Sequence, residues 1–172
     1  MKILESLPNS AYKWSWYNRL KKTTCLKYLK VFFSIKFHKY LEPLRPIVDE
    51  TGTWQVVLGE FLQKYLKILR VDDPYRVTNF DSVVEVIGNY HDVKVKIRSY
   101  GAVDMFFNLD HTLILSSVTD AIGDYGVIKF RNEVGLVVNS FIELIKLYLQ
   151  SSSIKDENYY FTQKSGVCKK CF

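Results

Sequence analysis

What is scarce in this sequence narrows it first. Cysteine occurs three times in 172 residues, at Cys25, Cys168 and Cys171. An odd number without framework spacing excludes a disulfide-stapled scaffold and fits a reducing compartment. Cys168 and Cys171 have the spacing of half a zinc site, but no second pair follows, and Cys25 with His38 is a poor substitute. Proline and glycine, 4 and 8 residues, are too few for a collagen-like or low-complexity chain. Long apolar runs are missing as well. The most apolar early stretch, CLKYLKVFFSIKF, is broken by Lys27, Lys30 and Lys36 and is shorter than the roughly 20 residues that cross a bilayer. Residues 1–10 carry Lys2, Glu5, Pro8 and Asn9 instead of the apolar centre of a secretory leader. The expectation is an intracellular protein of nucleus or cytoplasm, with no membrane segment. No G-x-x-x-x-G-K-S/T loop, G-x-S-x-G elbow or H-E-x-x-H pair occurs, which leaves nucleotide-hydrolase, esterase and zinc-protease readings without support.

Acidic residues are scarce at one end. Residues 1–45 contain ten basic side chains (Lys2, Lys13, Arg19, Lys21, Lys22, Lys27, Lys30, Lys36, Lys39 and Arg45) against only Glu5 and Glu42. That third is therefore +8, and the rest is −2 within a total of +6. Such asymmetry is expected of a chain that touches a polyanion, here RNA or DNA. Aromatic residues are interleaved with these bases: Tyr12, Trp14, Trp16, Tyr17, Tyr28, Phe32, Phe33 and Phe37. The combination suits base stacking with phosphate contact, and it equally suits a core. An apolar content of 48% and an aromatic content of 15% supply one.

Periodicity gives the elements. Leu26, Leu29 and Phe33 recur at helical spacing, which predicts a first amphipathic helix with Thr23 or Thr24 near its start. Pro43 and Pro46 keep residues 42–48 extended. A turn at 49–52 leads to a helix capped by Thr51 or Thr53. Its apolar stripe is Trp54, Val57, Leu58, Phe61, Leu62, Tyr65, Ile68 and Leu69. Asp72-Asp73-Pro74 ends that element, and Asp81 caps a short helix through Ile87. Residues 92–105 alternate, with Val93, Val95 and Ile97 against Lys94, Lys96 and Arg98, as in a half-buried strand. His111 to Ile122 reads as a helix ended by Gly123 and Gly126. Asn139 or Ser140 caps FIELIKLYLQ, and residues 151–163 form a hairpin around a polar turn. The order of elements mixes α and β without βαβ alternation, so the fold class is α+β.

At KFHKYLEPLRPIVDETGTW the sequence resembles the fingers of retroelement reverse transcriptases, of the Penelope-like and related arthropod type. Those polymerases carry a stretch like K-x-H-K-x-x-x-P-L-R-P-I-V, then a helix resembling FLQKYLKIL. The likeness continues through DDPYRV and the short helix at Asp81. It extends to a palm segment of the type S-I-D-V-x-D-M-F-F-S-L-P-H, matched by Phe106-Phe107-Asn108-Leu109, and then to GLVVNSFIELIKLYLQSSS and QKSGVC. It covers residues 36 to 168. The resemblance implies the fingers and an incomplete palm of a right-hand polymerase over residues 36–172, helix-rich with a small antiparallel sheet. A basic aromatic segment of unassigned family precedes it at 1–35. The implied activity is RNA-directed DNA polymerisation, a phosphoryl transfer in which carboxylates hold two Mg2+ ions.

Two registers place the palm segment. The first aligns Phe106-Phe107-Asn108-Leu109 with F-F-S-L, puts Gly101 at the position of the metal-binding Asp, and sets Asp110 in place of a proline. The second takes Asp104 as the metal ligand but leaves Leu109 where an aromatic should stand. The first preserves everything from Met105 to His111 and is preferred. Glycine cannot coordinate a metal, and no Y-x-D-D turn occurs in the sequence. The chain also departs from the family's I-G-S at Lys169-Lys170-Cys171-Phe172, which reads as a truncation. The expectation is a domain that does not hold Mg2+ productively and does not polymerise. By the same resemblance Arg45, with Lys39, would contact a triphosphate, and Gln163 and Gly166 would brace template and nucleotide. The other expectation, from charge, is a non-catalytic nucleic-acid-binding module or a relic with no catalytic role.

Overall fold

Val31, Phe32, Phe33 and Ile35 are β-branched or aromatic, side chains that lose χ1 freedom in a helix and pack well on a pleated surface. In the computed structural model these residues form strand β1 (Lys30–Ile35). The structure describes residues 18–20, 22–23, 28–35, 37, 44–69, 73, 76–77, 79–89, 96, 98, 100–102, 105–167 and 170–171. The helix expected across Leu29 and Phe33 is thus a strand. A helical turn lies earlier, at 18–20, and Thr23 closes it instead of opening one, its hydroxyl donating to the Leu20 carbonyl at 2.6 Å. A strand partner decides the matter: β2 (Leu44–Asp49) runs antiparallel to β1, with Phe32 opposite Ile47 and Ser34 opposite Arg45. The extended conformation expected around Pro46 is present. Strand β5 (Lys170–Cys171) joins the far side of β2 in parallel but meets only Val48 and Asp49. The missing amide of Pro46 therefore falls where β2 has no second neighbour among the described residues.

The chain divides into two units, Met1–Arg70 with Asp104–Phe172, and Val71–Val103. In the larger one, Gly52 turns the chain at φ 76° into α1 (Trp54–Leu66). Thr53 occupies the N-cap, but its hydroxyl donates back to the Glu50 carbonyl at 2.6 Å and caps no helix amide. Val57, Leu58, Leu62 and Tyr65 of the expected stripe are buried, with Trp54, Phe61, Ile68 and Leu69 half-buried beside them. Three helices complete the core: α4 (His111–Tyr125), α5 (Val127–Val134) and α6 (Val138–Gln150). Helix α6 packs against α1, α4 and α5. Phe141 on α6 meets Phe130 on α5 edge to face at 5.0 Å, and both rings are fully buried with Ile122. Such pairs add about 0.5–1.5 kcal/mol to the burial itself.

Helix α4 passes through Gly123, where the sequence had been expected to break it, and stops at Gly126, whose φ is 101°. A helical glycine costs only about 1 kcal/mol, less than the burial gained by keeping Ile122 in the core. Helix α6 starts at Val138, before Asn139 and Ser140, and has no side-chain cap. The hairpin is present as β3 (Ser153–Asp156) and β4 (Tyr159–Thr162), turning at Glu157 with φ 47°. A parallel bridge from Leu29 to Ile154 ties it to the start of β1, the Leu29 amide donating to the Ser153 carbonyl at 2.8 Å.

In the smaller unit, α2 (Phe80–Gly88) is capped by Asn79, which accepts from the Ser82 amide at 2.9 Å. Asp81 sits in its first turn, one residue past the cap expected of it. The strand expected at 92–105 falls mostly outside the described residues. Those described, Lys96, Arg98 and 100–102, are not in a strand, and Met105 opens a short helix, α3 (Met105–Asn108). The architecture is α+β, with α1, α4, α5 and α6 of the larger unit on one core and small sheets in the same unit. No described helix is long and apolar enough to cross a membrane.

Candidate functional site

Between α3 and α4 the chain must leave one helix and start another within two residues. Asp110 makes this possible, its Oδ1 accepting from the Thr112 amide at 2.6 Å and the Leu113 amide at 3.1 Å. The Leu113 amide first, then the Thr112 hydroxyl and amide, hold its carboxyl below the usual carboxylate range. Aspartate suits this position because its short carboxylate reaches the free amides of the first helical turn.

The segment from Phe106 to His111 is fastened to a loop 55 residues later. The Gly166 amide donates to the Leu109 carbonyl at 2.7 Å, and the Val167 amide to the Phe106 carbonyl at 2.6 Å. His111 closes the junction, its Nε2 at 2.8 Å from the Gly166 carbonyl. Gly166 is buried and has φ 75°. A Cβ there would lie 2.4 Å from the Phe107 carbonyl oxygen and 2.6 Å from its Cα. Only glycine admits so close an approach of two backbones.

The site residues read from the sequence fall as follows. Gly166 and Gln163 share this loop, and Gly166 makes the junction. Gln163 folds onto its own loop, its Nε2 donating to the Ser165 carbonyl at 2.9 Å and its amide to the Ser152 carbonyl at 3.0 Å. It also lines an apolar hollow of about 170 Å³ with Leu29, Val48, Ile154 and Phe161. Arg45 stands on a different element, half-buried on β2. Gly101 is exposed in the smaller unit, and a Cβ built on it meets nothing within 4 Å. Lys39 and Asp104 lie outside the described residues, as do His38, His91, Cys25 and Cys168.

The resemblance implies magnesium held by carboxylates. In the preferred register Gly101 has no oxygen to offer a metal; in the other the ligand would be Asp104, which lies outside the described residues. Among the described residues no three His, Cys, Asp or Glu side chains gather into a group that could hold an ion.

A buried polar cluster went unread in the sequence. The Glu50 side chain, at the end of β2, is 0% exposed and accepts a hydrogen bond from the Tyr148 hydroxyl on α6 at 3.1 Å. Gly59 leaves room for that hydroxyl, since a Cβ there would stand 2.9 Å from it. Burial first, then the charge of Glu50 and its hydrogen bond, push the Tyr148 phenol well above its ordinary value. Gln55 is buried close by in sequence, with no hydrogen-bond partner for its Oε1 among the described residues. The Asp-Glu-Thr-Gly turn was a local signal for the loop, but nothing near Tyr148 announced its partner. No family model matches the chain, and neither a curated protein nor a solved structure is similar enough to match it.

Proposed function

We propose that residues 36–172 are the fingers and part of the palm of a retroelement reverse-transcriptase-like domain, one that holds RNA or DNA but does not itself polymerise. The observation that carries this reading is the junction at Gly166. Two segments that the resemblance assigns to one polymerase centre, Met105 to His111 and Gln163 to Val167, are joined by backbone hydrogen bonds although nothing local in the sequence requires it. The +8 charge of residues 1–45 supports nucleic acid as the partner. Loss of polymerisation follows from chemistry: phosphoryl transfer by two metals needs several carboxylates, and Gly101 replaces one of them.

The test is a primer-extension assay with the 172-residue protein, an RNA template, a DNA primer, deoxynucleotides and Mg2+, run beside a binding titration on the same primer–template. The expected result is salt-sensitive binding without extension. Extension would overturn the claim of inactivity, and absence of binding at low salt would overturn the nucleic-acid reading.

A further inference from the structure

Alternation along β1 puts Lys30, Phe32 and Ser34 on one side of the strand, opposite Asp49, Ile47 and Arg45 of β2. The parallel bridge of Leu29 with Ile154 carries the same side onto the hairpin, where Lys155 pairs with Tyr160. The Tyr28 ring lies 4.9 Å from that of Tyr160, and the Lys155 Nζ lies 5.8 Å from the Tyr160 centroid. On the opposite side Leu29, Val48, Ile154 and Phe161 line the hollow, while Phe33 farther along β1 is 61% exposed. The Phe32 side runs across β2, β1, β3 and β4, with Phe32 47% and Tyr160 60% exposed and Tyr28 half-buried.

We propose that this sheet face binds a single strand of nucleic acid, with bases stacked on Phe32 and on the Tyr28–Tyr160 pair, and phosphates met by Lys30, Lys155 and Arg45. For the class of ligand this rests on the function proposed above; for the place it rests on the sheet alone. Charge complementarity selects the occupant. Three cations flank the rings, against one carboxylate among the described residues of the face, Asp49, which accepts a hydrogen bond from the Thr51 amide in its own turn. The centre of a protein–protein interface is depleted of lysine, whereas rings beside lysines are the means by which sheets hold two or three unstacked bases. Stacking and phosphate contact accept any base, so binding is expected to be indifferent to sequence.

The test is fluorescence anisotropy of short labelled oligo-dT and oligo-U with the 172-residue protein, across a salt series. Phe32→Ala and Tyr160→Ala are each expected to weaken binding roughly fivefold or more. Lys30→Gln combined with Lys155→Gln should lower the slope of log affinity against log salt by about 1.4, at about 0.7 per phosphate released. Phe33→Ala, on the other side of β1, should bind as the parent does, and circular dichroism melts check that every variant is folded. The site is wrong if the folded variants of the Phe32 side bind as the parent does, or if Phe33→Ala weakens binding as much as Phe32→Ala. A primer–template arm separates the two proposals. Single-strand binding lost with this face, but with no gain at a primer–template junction, supports the site and sinks the polymerase reading. Primer–template binding with unaltered single-strand affinity in the variants sinks the site alone. No binding to either at low salt overturns both.

Discussion

A methyl group added at Gly166 would come within 2.4 Å of the Phe107 carbonyl oxygen and would have to sit at φ 75°. Neither contact partner is the movable end of a side chain. Gly166→Ala is therefore expected to destabilise by about 3 kcal/mol or more, read as a shift of the urea midpoint. Gly101 provides the contrast, since a Cβ built there meets nothing. Gly101→Asp should change stability by less than about 0.5 kcal/mol. At Tyr148 the expectation concerns pH. Its phenol titrates higher in the folded chain than the ordinary 10.0. Below that ordinary value both states keep the proton and the stabilisation is whole; above it the unfolded chain ionises first and stability falls with rising pH. Tyr148→Phe should cost about 1.5–3 kcal/mol at neutral pH through the lost hydrogen bond to Glu50, and should flatten the alkaline decline in a denaturation series.

At the scale of elements, the helices were read well where one apolar stripe met one core. Leu62 on α1 is 3% exposed, and Leu62→Ala is expected to cost about 2–5 kcal/mol in equilibrium unfolding. The stripe of α1 and the hairpin at 151–163 were legible because their signals are local. Strand β1 was misread because Leu26, Leu29 and Phe33 happen to fit a period of 3.6, while the pairing with β2 that fixes Lys30–Ile35 is written elsewhere in the chain. Helix starts drifted for a related reason. Thr53 and Ser140 are good caps by type, yet Thr53 spends its hydroxyl on the Glu50 carbonyl, and α6 begins where its burial requires.

For the whole molecule, the uneven charge is the property with the plainest consequence. If residues 1–45 supply phosphate contacts, affinity for nucleic acid should fall steeply with salt, the log–log slope steepening by about 0.7–0.9 for each phosphate neutralised. A flat response would remove electrostatics from the account. On the proposed reading primer extension is absent at every salt concentration, because solvent ions do not replace the carboxylate that Gly101 would stand in for. The proposed sheet face adds a stacking contribution that salt does not screen, so part of the single-strand affinity should persist where the electrostatic part has gone.

Composition and periodicity by themselves settled the α+β class, the long core helix and the hairpin, because burial of an apolar stripe and the demands of a turn act over a few residues. Gly166 and Gln163 were singled out only by the resemblance to reverse transcriptases, not by composition or periodicity. Folding alone decided that Gly166 would lie on Phe107 and that Glu50 would be sealed beneath Tyr148, 98 residues away. Contacts of that range are set by which elements pack together, and no spacing along the chain encodes the distance between them.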